Sequence, residues 1–191
     1  MASVFSWDSR SKISVREAKY SHVITSPPYP NRISYIRELR PYMYWTKFLN
    51  TAREAGEIDW KAIGGTWGIA TSRLQDWSSN KVQSPKSLKT TVSKIEKSEG
   101  KNNMLMAKYV DKYFCDMHCH FENLRYCLLP GATLNYIVGN SSFYGVQVHT
   151  ERLLSESLQS LGYTNVNSCI VRKRNSKKEL YEYCVSAVWN D

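Results

Sequence analysis

The chain has 191 residues, of which 42% are hydrophobic and 23% are charged, and its formal net charge is +9. This composition is typical of a globular protein, and the length predicts one domain over residues 1–191. No apolar run reaches the about 18 residues that span a bilayer, and the N-terminus lacks a signal-peptide core, so we expect a cytoplasmic protein without a membrane partner. The five cysteines have no framework spacing, which argues against a secreted disulfide scaffold. The excess of Lys and Arg favours a polyanionic partner.

The first clear element is an apolar strand at 23–25 that ends at a proline corner, formed by Ser26, Pro27, Pro28 and Tyr29. Two consecutive prolines remove two backbone donors and fix their own φ, so the strand cannot continue. Carbonyl oxygens, a hydroxyl and an aromatic ring together suit a planar group that carries an NH2. We expect this corner at the carboxyl end of a sheet strand, where ligands bind in open α/β sheets. An ordinary proline turn is the alternative.

The segment at 31–50 has apolar residues at helical spacing on both sides of Pro41, which we expect to break or kink the helix. Arg32, Arg37 and Arg40 give this segment a positive side close to the corner. Such a side suits the backbone phosphates of a nucleic acid. A solvated helix face is the alternative for each arginine.

The middle of the chain, from 51 to about 103, shows no clear periodicity. Tryptophans alternate there with glycines and hydroxyl residues, and 81–103 contains six lysines against two glutamates. We predict a basic insert or mobile loop, whose charge suits contact with a nucleic-acid backbone by counterion release. A disordered loop without this role is the alternative.

A long helix is predicted over 104–128 from a broad apolar stripe, with Pro130 and Gly131 ending it. Cys115 and Cys119 share a face of this helix, but no second pair with zinc spacing follows, so we predict no metal site.

Strand and helix patterns continue to the end of the chain. A buried strand at 133–138 leads into a polar loop, and Thr150 is predicted to cap a helix over 151–161 that Gly162 ends. Two further strands, at 167–172 and 180–188, predict an antiparallel hairpin.

The corner resembles the catalytic motif of the S-adenosylmethionine-dependent amino-methyltransferases of DNA. In that family Asp, Asn or Ser precedes Pro-Pro and then Tyr, Phe or Trp, as in Ser26, Pro27, Pro28 and Tyr29. Serine at the first position is typical of the N4-cytosine enzymes, whereas the N6-adenine enzymes more often carry Asp. The resemblance implies that these four residues are catalytic and that methyl passes to the exocyclic amino group of a flipped base, with cytosine N4 as the preferred acceptor.

Other segments extend the resemblance over most of the chain. Tyr35 follows the motif as in many relatives, and the loop with Asn140 and Ser141 is similar to one that lies beside the motif. The resemblance therefore implies that these three residues line the base pocket. Residues 172–175 and Glu182 match the family's final hairpin.

The glycine loop on which the family binds S-adenosylmethionine is missing. Gly64 and Gly65 lack the preceding strand, and Asp8 alone matches, loosely, the acid that faces the cofactor's adenosine in relatives. A solvated turn is the alternative for Asp8. The resemblance implies an α/β fold with a partial Rossmann-like methyltransferase sheet, namely its second half with a C-terminal antiparallel hairpin.

The sequence thus predicts one subunit of a site-specific DNA methyltransferase, active in a two-chain assembly whose second subunit carries the cofactor-binding half. A non-catalytic DNA-binding methyltransferase-like subunit is one alternative. An N6-adenine enzyme, or one that modifies RNA or a protein amide, is another.

Overall fold

The computed structural model describes residues 4, 6–12, 20–66, 69–79, 85–175 and 179–190. A short 3-10 turn, Arg125–Cys127, lies between the fifth helix and the second strand. In chain order the elements are β1 (Tyr20–Thr25), α1 (Tyr35–Trp45), α2 (Ala52–Lys61), α3 (Ile69–Asp76), α4 (Lys86–Glu96), α5 (Asn103–Leu124), β2 (Leu128–Gly139), β3 (Ser141–Phe143), β4 (Val146–Val148), α6 (Thr150–Ser160), β5 (Thr164–Lys173) and β6 (Tyr181–Trp189).

Four of the strands form one mixed sheet in the order β1-β2-β6-β5. β1 runs parallel to β2, whereas β6 is antiparallel to both β2 and β5. β3 and β4 form a separate antiparallel pair. The predicted α/β class and the C-terminal antiparallel pairing are confirmed, and the arrangement is compatible with part of a Rossmann-like sheet.

One face of the sheet carries the core. Leu134, Tyr136 and Val138 of β2 are fully buried and alternate with partly exposed residues, as the two-residue period of a strand requires. Met117 and Phe121 of α5 are equally buried in the same cluster. Each such side chain stabilises the fold by about 1.5–3 kcal/mol through apolar burial. The predicted apolar stripe of α5 is therefore the main partner of the sheet.

The opposite face of the sheet is covered less completely. Asn135 and Ile137 of β2 lie on this face and are partly exposed, and Ile24 of β1, in register with Asn135, is 79% exposed. β1 is also an edge strand within the described part of the chain, with β2 on one side alone. Its outer N–H and C=O groups are thus open to another strand.

Of the two predictions about chain breakers, the break at Pro41 does not occur, and the helix end at Pro130 and Gly131 was wrong. α1 runs through Pro41 without a break, and Ser34 caps its first turn. Pro41 has no N–H to donate to the carbonyl of Arg37, but this side of the helix faces solvent, so the carbonyl is not buried without a donor. α5 ends at Leu124, before Pro130 and Gly131, and both of these lie inside β2. They fall where the β1–β2 register shifts, a position that tolerates residues unsuited to a regular ladder.

The segment from 51 to 103, whose sequence shows no clear periodicity, contains α2, α3 and α4. α4 buries only Leu88 and Ile95, one apolar residue every two turns, so its amphipathic signal is hidden among Lys, Ser and Thr. The cap of α6 also differs from the prediction, since His149 is the N-cap and Thr150 is the first helical residue. Gly162 follows the last turn at φ 89°, as expected for a residue that ends a helix.

Within the ranges given above, no helix is both long and apolar enough to cross a bilayer.

Candidate functional site

The proline corner lies at the carboxyl end of β1, beside the carboxyl end of β2. The ring of Tyr29 packs directly on the backbone of Gly139, the last residue of β2. A Cβ atom on Gly139 would lie 2.7 Å from Tyr29 Cδ2 and 2.9 Å from its Cε2. Only glycine permits this approach, so the structure brings the corner and the loop after β2 into contact.

Two tyrosines of α5 fix the backbone of the corner region through hydrogen bonds. Tyr113 Oη donates a hydrogen bond to the carbonyl oxygen of Pro28 at 2.8 Å, and Tyr109 Oη accepts one from the backbone N–H of Arg32 at 3.1 Å. Burial raises the pKa of Tyr109 to about 12 and that of Tyr113 well above its ordinary value. Both phenols therefore stay protonated at neutral pH, as the Tyr113 bond requires. Arg32 adopts a left-handed φ of 64°, which the backbone bond stabilises.

The β5–β6 hairpin forms a second wall around Tyr29. Arg172 and Glu182 face each other across the hairpin, with Arg172 Nε 2.6 Å and Nη2 3.2 Å from the two carboxylate oxygens. The Arg172 bond is the main cause that lowers the pKa of Glu182, and a bond from the Tyr29 side chain adds to it. The guanidinium carbon of Arg174 lies 5.6 Å from the centroid of the Tyr29 ring, within the range of a cation–π contact.

Asn140 ties the hairpin to the end of β2. Its Oδ1 accepts from the N–H of Tyr181 at 2.8 Å, its Nδ2 donates to the carbonyl of Glu179 at 3.4 Å, and its backbone oxygen accepts from Arg174 Nη1 at 3.0 Å. The side chain is thus engaged in structural bonds. Ser141 differs, because its buried Oγ has no hydrogen-bond partner among the described residues.

Some polar groups of the corner form hydrogen bonds within the protein, and others are exposed to solvent. Pro28 uses its carbonyl oxygen for the bond from Tyr113, whereas Ser26 is exposed and its hydroxyl bonds to no described residue. Tyr35, at the start of α1, is 53% exposed. The corner therefore leaves the Ser26 hydroxyl exposed and the Tyr29 ring partly exposed, while its backbone is fixed.

Two of the three arginines predicted to contact phosphates lie together. Arg32 and Arg37 line a polar surface groove of about 500 Å³ with Asn31 and Thr66. Arg40 does not line this groove.

Asp8 and the glycines after α2 do not form a cofactor cradle within the described residues. The Asp8 carboxylate bonds to Arg10 at 2.8 Å, which is the main cause of its lowered pKa, and Arg10 also pairs with Asp116 of α5 at 3.3 Å. No described contact joins Asp8 to the corner. Gly64 and Gly65 follow a helix, and a Cβ on Gly65 would lie 1.8 Å from the carbonyl oxygen of Asp59. The residues present therefore do not fit S-adenosylmethionine unaided, and no cluster of three metal-binding side chains is found among those described.

The residues whose role the sequence did not reveal are Tyr109, Tyr113, Gly139 and Arg174. Tyr109 and Tyr113 are four residues apart on a helix and therefore share a face, and this spacing is the sequence feature that could have indicated their common role. That signal is hidden in the apolar stripe, because tyrosine packs in a core as readily as it donates a hydrogen bond.

The chain matches no protein-family model, no curated protein and no solved structure.

Proposed function

We propose that the chain is the base-holding subunit of an S-adenosylmethionine-dependent DNA methyltransferase, with the exocyclic amino group of cytosine as the acceptor. The observation that carries this proposal is the rigid corner itself. Ser26 and Tyr29 lie exposed or half-exposed at the carboxyl end of a parallel strand, and Tyr29 rests on the glycine that ends the neighbouring strand. Ligands bind at such strand ends in open α/β sheets.

The corner can hold an amino group by positioning and electrostatics alone. A base flipped from the duplex stacks on the Tyr29 ring, and its amino hydrogens are accepted by the Ser26 hydroxyl and the Pro27 carbonyl. These bonds raise the electron density on the amino nitrogen, which forms the new N–C bond and then loses a proton to solvent. S-adenosylmethionine held by the partner subunit would supply the methyl group on a positively charged sulfur, which would depart as a neutral thioether. Tyr113 and Tyr109 keep the acceptors fixed throughout.

A second polypeptide is part of the proposal, since this chain lacks the glycine loop and its described residues form no cradle for the donor. Among the described residues, the outer edge of β1 has no neighbouring strand, and the partly exposed sheet face beside Ile24 offers apolar surface. Sheets with parallel strands are stable when both faces are covered. A partner that adds a strand to β1 and covers this face would bring its own cofactor site to the corner.

The direct test uses the complex recovered from native cells, incubated with unmethylated DNA and S-adenosylmethionine labelled in the methyl group. We expect label in DNA that is recovered as N4-methylcytosine after hydrolysis to nucleosides, and no transfer by this chain alone. Recovery as N6-methyladenine would change the acceptor. DNA binding without transfer would favour the non-catalytic alternative, and label in RNA or protein would change the substrate class.

The position of the partner gives a separate prediction. Replacing Ile24 by Lys is expected to weaken binding of the cofactor-carrying subunit at least 10-fold, because a charge would enter an interface built on apolar surface. Thermal unfolding should change little, since exposed substitutions shift stability by less than about 0.5 kcal/mol.

Ile170→Lys is the matched control for this experiment. Ile170 is 59% exposed on β5, the opposite edge strand of the sheet. Both variants would be compared by surface plasmon resonance against the immobilised partner. Equal affinities for Ile24→Lys and Ile170→Lys would place the partner elsewhere.

A further inference from the structure

We propose that a groove between α4 and the start of α6 binds backbone phosphates of the nucleic-acid strand that leaves the corner. This inference rests on the proposed function for the identity of the strand. The groove has a volume of about 590 Å³. Its cationic side chains come from both walls, Lys94 from α4 and Arg152 from the start of α6, and the imidazole of His149, the N-cap of α6, lies beside Arg152 in the lining.

The charge of the groove suits a polyanion. No described carboxylate is itself part of the lining, although Glu151 lies 3.3 Å from His149 Nδ1 and Glu156 contacts both Ser87 and Arg152. Lys94 and Arg152 are both exposed. Arg152 Nε contacts Glu156 at 2.9 Å, but the arginine side chain is 69% exposed. Exposed pairs of this kind contribute at most about 1 kcal/mol, so a phosphate can compete for the outer guanidinium nitrogens. A further lysine of the same helix, Lys89, is exposed close by in sequence and adds to the positive field.

The shape of the groove also favours close approach of a backbone. Gly145, in the turn between β3 and β4, has φ 81° and lines the groove. A Cβ on this glycine would have no heavy atom within 4 Å, so the space above it is open. A phosphodiester can therefore approach the turn without meeting a side chain.

A shared hydrogen-bond acceptor links the groove to the corner. The carbonyl oxygen of Glu179 accepts from Gln147, which lines the groove, at 3.0 Å and from Asn140, which follows Gly139, at 3.4 Å. Gly139 in turn supports Tyr29. The groove and the corner thus adjoin the same hairpin, and a strand held at Tyr29 can continue past Gln147 into the groove.

The experiment measures how the affinity for a fluorescein-labelled single-stranded oligonucleotide depends on salt. Each phosphate contact on a single strand contributes about 0.7 to the slope of log K against log salt. The double variant Lys94→Gln, Arg152→Gln should reduce the slope by about 1.4 and weaken binding at low salt at least 10-fold. The matched control is Lys86→Gln, Lys97→Gln, which removes the same charge from the two ends of α4, outside the groove, and should leave the slope within about 0.3 of wild type.

Equal slopes for the two double variants would overturn the proposal. A second result would also overturn it. If calorimetry showed that inorganic phosphate binds wild type but not the Lys94→Gln, Arg152→Gln variant, while the salt slope for the oligonucleotide stayed unchanged in that variant, the groove would be a site for free phosphate. Tyr29→Ala should retain the wild-type slope. Failure of methyl transfer in the native complex, with the groove-dependent slope intact, would remove the proposed enzyme function and leave the nucleic-acid groove standing.

Discussion

Tyr29→Ala is expected to slow methyl transfer by the native complex about 100-fold or more. Stacking of a base on an aromatic ring is worth about 1–3 kcal/mol, and loss of the positioned base adds to that figure. Tyr29→Phe keeps the ring and loses only the bond to Glu182, so it should stay within about 10-fold of wild type. Single-turnover transfer of labelled methyl to DNA measures both variants.

The control for this prediction is Tyr126→Ala. Tyr126 is 56% exposed in the turn after α5, and its ring contacts Lys12 rather than any residue of the corner. Its removal should leave transfer unchanged. If Tyr29→Ala were as active as Tyr126→Ala, the base would not stack on this ring and the assigned role of the corner would be wrong.

The elements that position the corner were predictable where a single local rule governs them. Two prolines after an apolar run end a strand in any context, and the alternation along β2 reports its buried face directly. α4 was missed because burial of Leu88 and Ile95 alone leaves most of the helix polar. Tertiary packing on α5, rather than local periodicity, makes this segment helical.

The candidate site was predictable in its chemistry but not in its supports. Ser26 and Tyr29 carry groups whose function follows from residue type, so a motif reveals them. The contribution of Tyr113 depends on a contact 85 residues away in the chain, and no local pattern encodes such a bond. Asn140 shows the converse, since an amide of suitable chemistry proves to be engaged with Tyr181 and Glu179 of the hairpin.

Gly139→Ala should separate the geometry of the site from the stability of the fold. The new Cβ would lie 2.7 Å from the Tyr29 ring, a distance that forces the ring to move, and 3.1 Å from Arg174 Nη1. Both neighbours are only partly buried and can shift at small cost, and Gly139 is not one of the residues with positive φ. We therefore expect transfer to fall at least 10-fold with little change in the free energy of unfolding, because displacement of a positioning group by about 1 Å can cost about 100-fold in rate.

Gly131→Ala is the control for Gly139→Ala, because it should lower the stability of the fold while leaving methyl transfer nearly unchanged. Gly131 has φ 80°, and a Cβ added there would have no heavy atom within 4 Å, so alanine strains the backbone by about 1–2 kcal/mol without touching Tyr29. Urea unfolding should show this loss, while methyl transfer by the folded complex stays within about two-fold of wild type, about 0.4 kcal/mol in barrier height. Equal transfer by the two variants would mean that the Tyr29 ring need not rest on β2. A loss of transfer in Gly139→Ala alone would show that the contact between the two strand ends sets the position of the base.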